Sequence, residues 1–188
     1  MYRTAFTLAA LVFSAAACMH AQGNAAPGST SDVRTITAFN QSVRDYAALH
    51  NRLEATLPSM PKDAEGVDKH QRALEQLMVN SRKTAQRGDI FAPDADRLVR
   101  RLLGQVFAGP DGGQLKASIM DENPSSLKLA VNGRYPDGVP LPTMPPQVLA
   151  LLPRLPPELE YRFIGNRLIL LDIHAHTVVD FIDNVLPK

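Results

Sequence analysis

Fifteen prolines punctuate this chain of 188 residues, and eight of them fall between Pro136 and Pro157. A proline has no amide hydrogen to give to a helix or an inner strand, and it pushes the preceding residue out of the helical region. Neither a long helix nor a central strand can therefore run through "YPDGVPLPTMPPQVLALLPRLPP". Extended chain, with a helical turn or two at Gln147–Leu152, is what this segment permits. Regular structure must lie on either side of it. The apolar residues Val139, Leu141, Met144, Leu149, Leu152 and Leu155 mark the run as a wrap over a core, since a disordered linker would be more polar.

Upstream, the apolar period is helical. Ile36, Phe39, Val43, Tyr46, Leu53 and Leu57 recur at three- and four-residue steps, which predicts a helix from Val33 to about Leu57, capped by Ser31 or Asp32 and stopped by Pro58. Leu74, Leu77 and Met78 predict a second helix from about Val67 to Arg87, with Gly88 just past its end. The two form an antiparallel hairpin across "SMPKDAEG". A third helix starts near Pro93, and Leu98, Val99, Leu102, Leu103, Val106 and Phe107 give it the widest apolar face in the chain. A short fourth helix, about Leu115 to Glu122, stops before Asn123-Pro124.

Downstream of Pro124 the period becomes two. Leu127, Leu129 and Val131 alternate as a strand would. "LEYRFIGNRLILLD" reads as a β-hairpin around Gly165-Asn166, and "TVVDFI" supplies a further strand. The expected architecture is α+β: an N-terminal helical half (a helix hairpin plus two further helices), the proline-rich wrap, and a small antiparallel sheet. One domain, residues 32–188, accounts for all of it, and a chain of this length can bury a real core.

The first residues belong to a different kind of segment. "MYRTAFTLAALVFSAAAC" has Arg3 in a short leader and then an uncharged apolar run from Ala5 to Ala17, which reads as a secretory signal over residues 1–21. Small residues Ala15–Ala17 suit cleavage before Cys18; cleavage after Ala21 is an alternative. In a third reading Cys18 is lipidated and anchors the protein to a membrane, although Ala15 stands where such motifs usually carry leucine. Residues 22–31 are small and polar, as a flexible tether is. The expectation is an exported protein, periplasmic or secreted, or membrane-anchored through Cys18, with no transmembrane span in the mature chain. Cys18 is the single cysteine, so the chain has no internal disulfide framework.

The segments "KTAQRGDIFAP", "LEYRFIGNRLILLD" and "VVDFI" resemble a group of uncharacterised exported bacterial proteins that share a domain of unknown function. The resemblance implies a recurring domain. It brings no activity, ligand or catalytic residue with it.

Function must be sought in the remaining polar residues. A net charge of +1 with mixed signs offers no basic stripe for phosphates, so nucleic acid is not an expected partner. There is no Gly-x-Ser-x-Gly, no phosphate-binding glycine loop, and no cofactor is implied. The densest polar cluster is Asp172, His174, His176 and Asp180 in "LLDIHAHTVVDFI". On one unbroken strand all four would share a face and could ligate a metal ion. That face would also carry Leu168 and Leu170, and the strand would be thirteen residues long. A corner near His174–Thr177 removes both difficulties and scatters the side chains. His50 and His70 lie on the stripes of the first two helices near the hairpin turn, where they can approach each other across the seam. The charge pairs of the first three helices read as solvated faces. The sequence thus favours a non-catalytic envelope protein acting through a binding surface, with a protein partner or a small ligand. The alternatives are a metal-dependent hydrolase using the C-terminal His/Asp cluster and a small-molecule-binding protein.

Overall fold

A computed structural model describes residues 28–123 and 127–187. The secretory segment expected over residues 1–21 and the candidate lipid site Cys18 lie outside the described residues. Among the described residues five helices precede a three-stranded sheet: α1 (Thr30–Glu54), α2 (Ala64–Ser81), α3 (Pro93–Phe107), α4 (Gly112–Asp121), α5 (Pro146–Leu149), β1 (Leu159–Ile164), β2 (Arg167–Asp172) and β3 (Thr177–Ile182). The strands form an antiparallel meander in the order β1-β2-β3, so the fold is α+β. Among the described residues no helix is long and apolar enough to cross a membrane.

α1 opens on a capping box. The Ser29 hydroxyl accepts from the Asp32 amide and the Asp32 carboxylate accepts from the Ser29 amide, satisfying two donors that a helix start leaves orphaned. The cap is therefore Ser29, not the expected Ser31 or Asp32, and the last residues of the expected 22–31 tether are helical. α2 ends at Ser81, short of the expected Arg87, because Arg82 leaves helical dihedrals (φ −121°, ψ 37°). Its carbonyl accepts from Asn132 Nδ2 at 2.8 Å, and its guanidinium donates to Asn132 Oδ1 at 2.7 Å. α5 is the helical turn that the proline-rich wrap permits.

β1 and β2 pair across Gly165 and Asn166, with Gly165 at φ 57°. β2 and β3 are joined by the corner 173–176, and their ladder contains a bulge. Leu171 pairs with Val178 and Leu170 with Asp180, so Val179 is the extra residue. Both faces of the sheet are covered. The helical layer packs Phe39, Val43, Leu74, Val99 and Leu103 against Phe163, Leu168, Leu170 and Val179. The other face holds Tyr135, Ile164, Ile169, Leu171 and Val178 under Leu127, Leu129 and Val139. The alternation at Leu127–Val131 does not make a strand. That segment lies over the second face and reaches β3 only near Asn132–Tyr135, where Asn132 N donates to Val178 O at 2.8 Å and Tyr135 N to His176 O at 2.8 Å.

Leu103 is 1% exposed, whereas its neighbour Leu102 is only half-buried at the edge of the same helix face. Leu103→Ala is expected to lower the unfolding free energy by about 2–5 kcal/mol, through lost burial and the cavity left behind. Leu102→Ala should cost clearly less. Equal losses in chemical denaturation would show that α3 presents a different face to the core.

Candidate functional site

Asp172, the last residue of β2, shares the helix-facing side of the sheet with Leu168 and Leu170, and it is fully buried. A carboxylate there needs hydrogen-bond donors on both oxygens. Oδ1 accepts from the backbone amides of His174 (3.0 Å) and Ala175 (2.8 Å), which shapes the corner. Oδ2 accepts from the Tyr46 hydroxyl at 2.6 Å, and His50 Nδ1 lies 2.6 Å from it. A carboxylate can only accept, so Nδ1 carries the proton. The other ring nitrogen, Nε2, is thereby turned to Glu54, one helical turn on.

Glu54 is the centre of the cluster. Its Oε2 lies 3.3 Å from His50 Nε2. His174, from the corner, places Nδ1 3.2 Å from Oε1 and 3.4 Å from Oε2. His70, from α2, places Nε2 3.5 Å from Oε1. Three imidazoles from α1, α2 and the β2–β3 corner thus converge on one carboxylate. Around a zinc ion bonded at about 2.0–2.1 Å in a tetrahedron, neighbouring donor atoms stand about 3.3 Å apart. The contacts of His50 and His174 to Glu54 are long hydrogen bonds that fall at that spacing, against the 2.6 Å bond that His50 makes to Asp172. His50, Glu54 and His174 each offer one donor atom, all within 4.8 Å of one another.

The electrostatics are those of a pocket that holds positive charge. Burial alone would push the His50 imidazole down, but the hydrogen bond and charge of Asp172, reinforced by Glu54, outweigh it and raise its pKa above 6.5. Burial would raise Glu54, and the charges of His174 and His50 overcome it, so the carboxyl sits below its ordinary 4.5. Burial, with Asp172 beside it, holds the Tyr46 hydroxyl protonated far above its usual range, so it stays a donor.

The four residues of the "LLDIHAHTVVDFI" cluster do not come together. Asp172 supports His50, and His174 faces Glu54. His176 takes a positive φ of 55° at the end of the corner and sets its ring against Tyr135, with centroids 5.6 Å apart. It belongs to the opposite side of the sheet, where burial and then the charge of Arg134 lower its pKa. Asp180 faces the helical layer at a distance from the histidines. Its carboxylate accepts from the amides of Gly88 (3.0 Å), Ile90 (2.9 Å) and Phe91 (2.8 Å), anchoring the loop that enters α3.

Sequence reasoning brings His50 towards His70 but singles out nothing at Glu54. The available signal was local: His50 and Glu54 are four residues apart, hence on one side of α1. The contribution of Asp172, 122 positions away, had no local signal at all. Comparison with family models, with curated proteins and with solved structures finds no match to this chain, so what the cluster does has to be argued from its own chemistry.

Proposed function

We propose that this chain is an exported protein that binds a divalent transition-metal ion of the zinc class at His50, Glu54 and His174. The observation that carries the reading is the pairing of donor spacing with support. Ring nitrogens of His50 and His174 stand 3.2–3.4 Å from the Glu54 carboxylate, while the other nitrogen of His50 is fixed by a buried aspartate. A carboxylate behind a ligating histidine sets its tautomer and raises its basicity. The charges also balance: a dication beside Glu54 and Asp172 leaves the pocket neutral, which lowers the cost of burying it. Imidazole donors favour zinc, copper or nickel over magnesium or calcium. Export is supported by Arg3 and the apolar run Ala5–Ala17, a segment outside the described residues.

Thermal and chemical unfolding with and without metal provide the test. Zinc held about 100-fold above its dissociation constant should add about 2.7 kcal/mol to the unfolding free energy. A chelator should remove that gain, and calcium or magnesium should not reproduce it. Glu54→Ala and His174→Ala should each abolish the response. Zinc that leaves unfolding of the wild-type protein unchanged would sink the proposal, as would an undiminished response in His174→Ala.

A further inference from the structure

We infer that the ion held by His50, Glu54 and His174 keeps its fourth coordination position open to solvent, where it takes water or a small monodentate anion. The inference rests on the metal-binding reading above and adds to it what the ion is presented to. Among the described residues, the donor atoms that lie within 4.8 Å of one another are those of His50, Glu54 and His174. Two imidazoles and one carboxylate are three of the four donors of a tetrahedral zinc ion, and water completes the set where zinc acts as a Lewis acid. His70 does not supply the missing donor, because its Nε2 is engaged with the Glu54 carboxylate, 3.5 Å from Oε1. It acts on the ion through Glu54, steadying that ligand from α2 as Asp172 steadies His50 from β2.

Burial gives the open position its direction. Side-chain exposure rises across the three ligands, from 0% at His50 through 23% at Glu54 to 40% at His174. The protein therefore encloses the ion on the side of His50 and leaves the side of the β2–β3 corner to solvent. The buried side is also the fixed one. Asp172 Oδ2 takes the proton-bearing Nδ1 of His50, and its Oδ1 takes the amides of His174 and Ala175. One aspartate thus sets the ring of one ligating histidine and the backbone of the other, with no fourth protein ligand required. A site fixed from within and wet from without can exchange its outer ligand while the other three stay in place.

Cobalt(II) reports whether the sphere is open. In the purified protein loaded with cobalt, added azide should shift the visible absorption bands, with a saturable dependence on its concentration. His70→Ala should retain that shift and weaken cobalt binding by no more than the roughly 10–100-fold typical of losing a supporting residue. His174→Ala should abolish cobalt binding. In cadmium-loaded wild-type protein, NMR scalar coupling should connect the metal to a ring nitrogen of His50 and of His174, and to none of His70. The azide and cadmium measurements use the wild-type protein and stand even if a variant folds poorly. Wild-type cobalt bands that azide leaves unmoved would overturn the inference. So would cadmium coupling to His70, or an azide shift that appears only in His70→Ala. In each case the three-residue site itself stands if His174→Ala still abolishes binding. A wild-type protein that takes up neither zinc nor cobalt overturns both readings.

Discussion

Asp172→Ala is expected to lower the unfolding free energy of the metal-free protein by about 3–5 kcal/mol, the range for removing one partner of a buried charged pair. Four donors converge on this carboxylate, from Tyr46, His50 and the amides of His174 and Ala175, and alanine leaves all of them without an acceptor. Asp172→Asn is the sharper instrument, since it keeps the volume and one acceptor oxygen while removing the charge that holds the proton on His50. The pH dependence separates the two roles. His50 has a folded pKa above 6.5, so its contribution is complete below 6.5 and is lost as pH rises through the folded value. Glu54 has a folded pKa below 4.5, so its contribution is present above 4.5 and is lost as pH falls through the folded value. With a chelator present, the contribution of this pair should be greatest between 4.5 and 6.5. In Asp172→Asn the decline on the alkaline side should flatten. Urea unfolding across pH is the measurement. A loss under about 1 kcal/mol in the alanine variant, where surface changes usually fall, would show that the carboxylate is not the anchor described.

Asp180→Ala should destabilise for a different reason, by about 1–3 kcal/mol for each buried amide left without an acceptor. Its carboxylate takes the amide hydrogens of Gly88, Ile90 and Phe91, and a loop that loses its acceptor exposes or orphans all three. Phe91 stacks on Phe39 at 5.5 Å and faces Tyr161 at 6.4 Å, so a loosened loop also loosens the join between α1 and β1. Amide exchange at Ile90 and Phe91 should accelerate more than exchange in the centre of β2. Zinc binding should persist, because none of these contacts reaches Glu54. Unaltered exchange at Ile90 would contradict the anchoring role.

Much of the fold was legible because it rests on periodicity and punctuation. The proline run separated helices from strands, and Gly165-Asn166 located the hairpin. Leu168 and Leu170 argued for a corner after Asp172, and turn residues 173–176 form one. The failures share a cause. The end of α2 is set by Asn132, which takes the Arg82 carbonyl from 50 positions away, and the Leu127–Val131 alternation fits a covering segment as well as a strand. The candidate site was half legible: the histidines were visible as residue types, whereas the choice of Glu54 as their meeting point depends on where the corner lands on α1. No window of sequence contains that information.

The bulge at Val179 bears on how the sheet assembles. Without it, β3 would zip against β2 in a regular ladder, placing Val179 opposite Leu170 and Asp180 opposite Ile169. That register would drive a carboxylate among Tyr135, Ile164, Leu171 and Val178, away from the amides that now satisfy it, and would turn Phe181 towards the helices in its stead. The bulged register is the one in which the aspartate meets the amides of the loop entering α3. The β2–β3 register is thus specified by a charge: the bulged pairing delivers Asp180 to the amides of Gly88, Ile90 and Phe91, and the regular one would take it away from them.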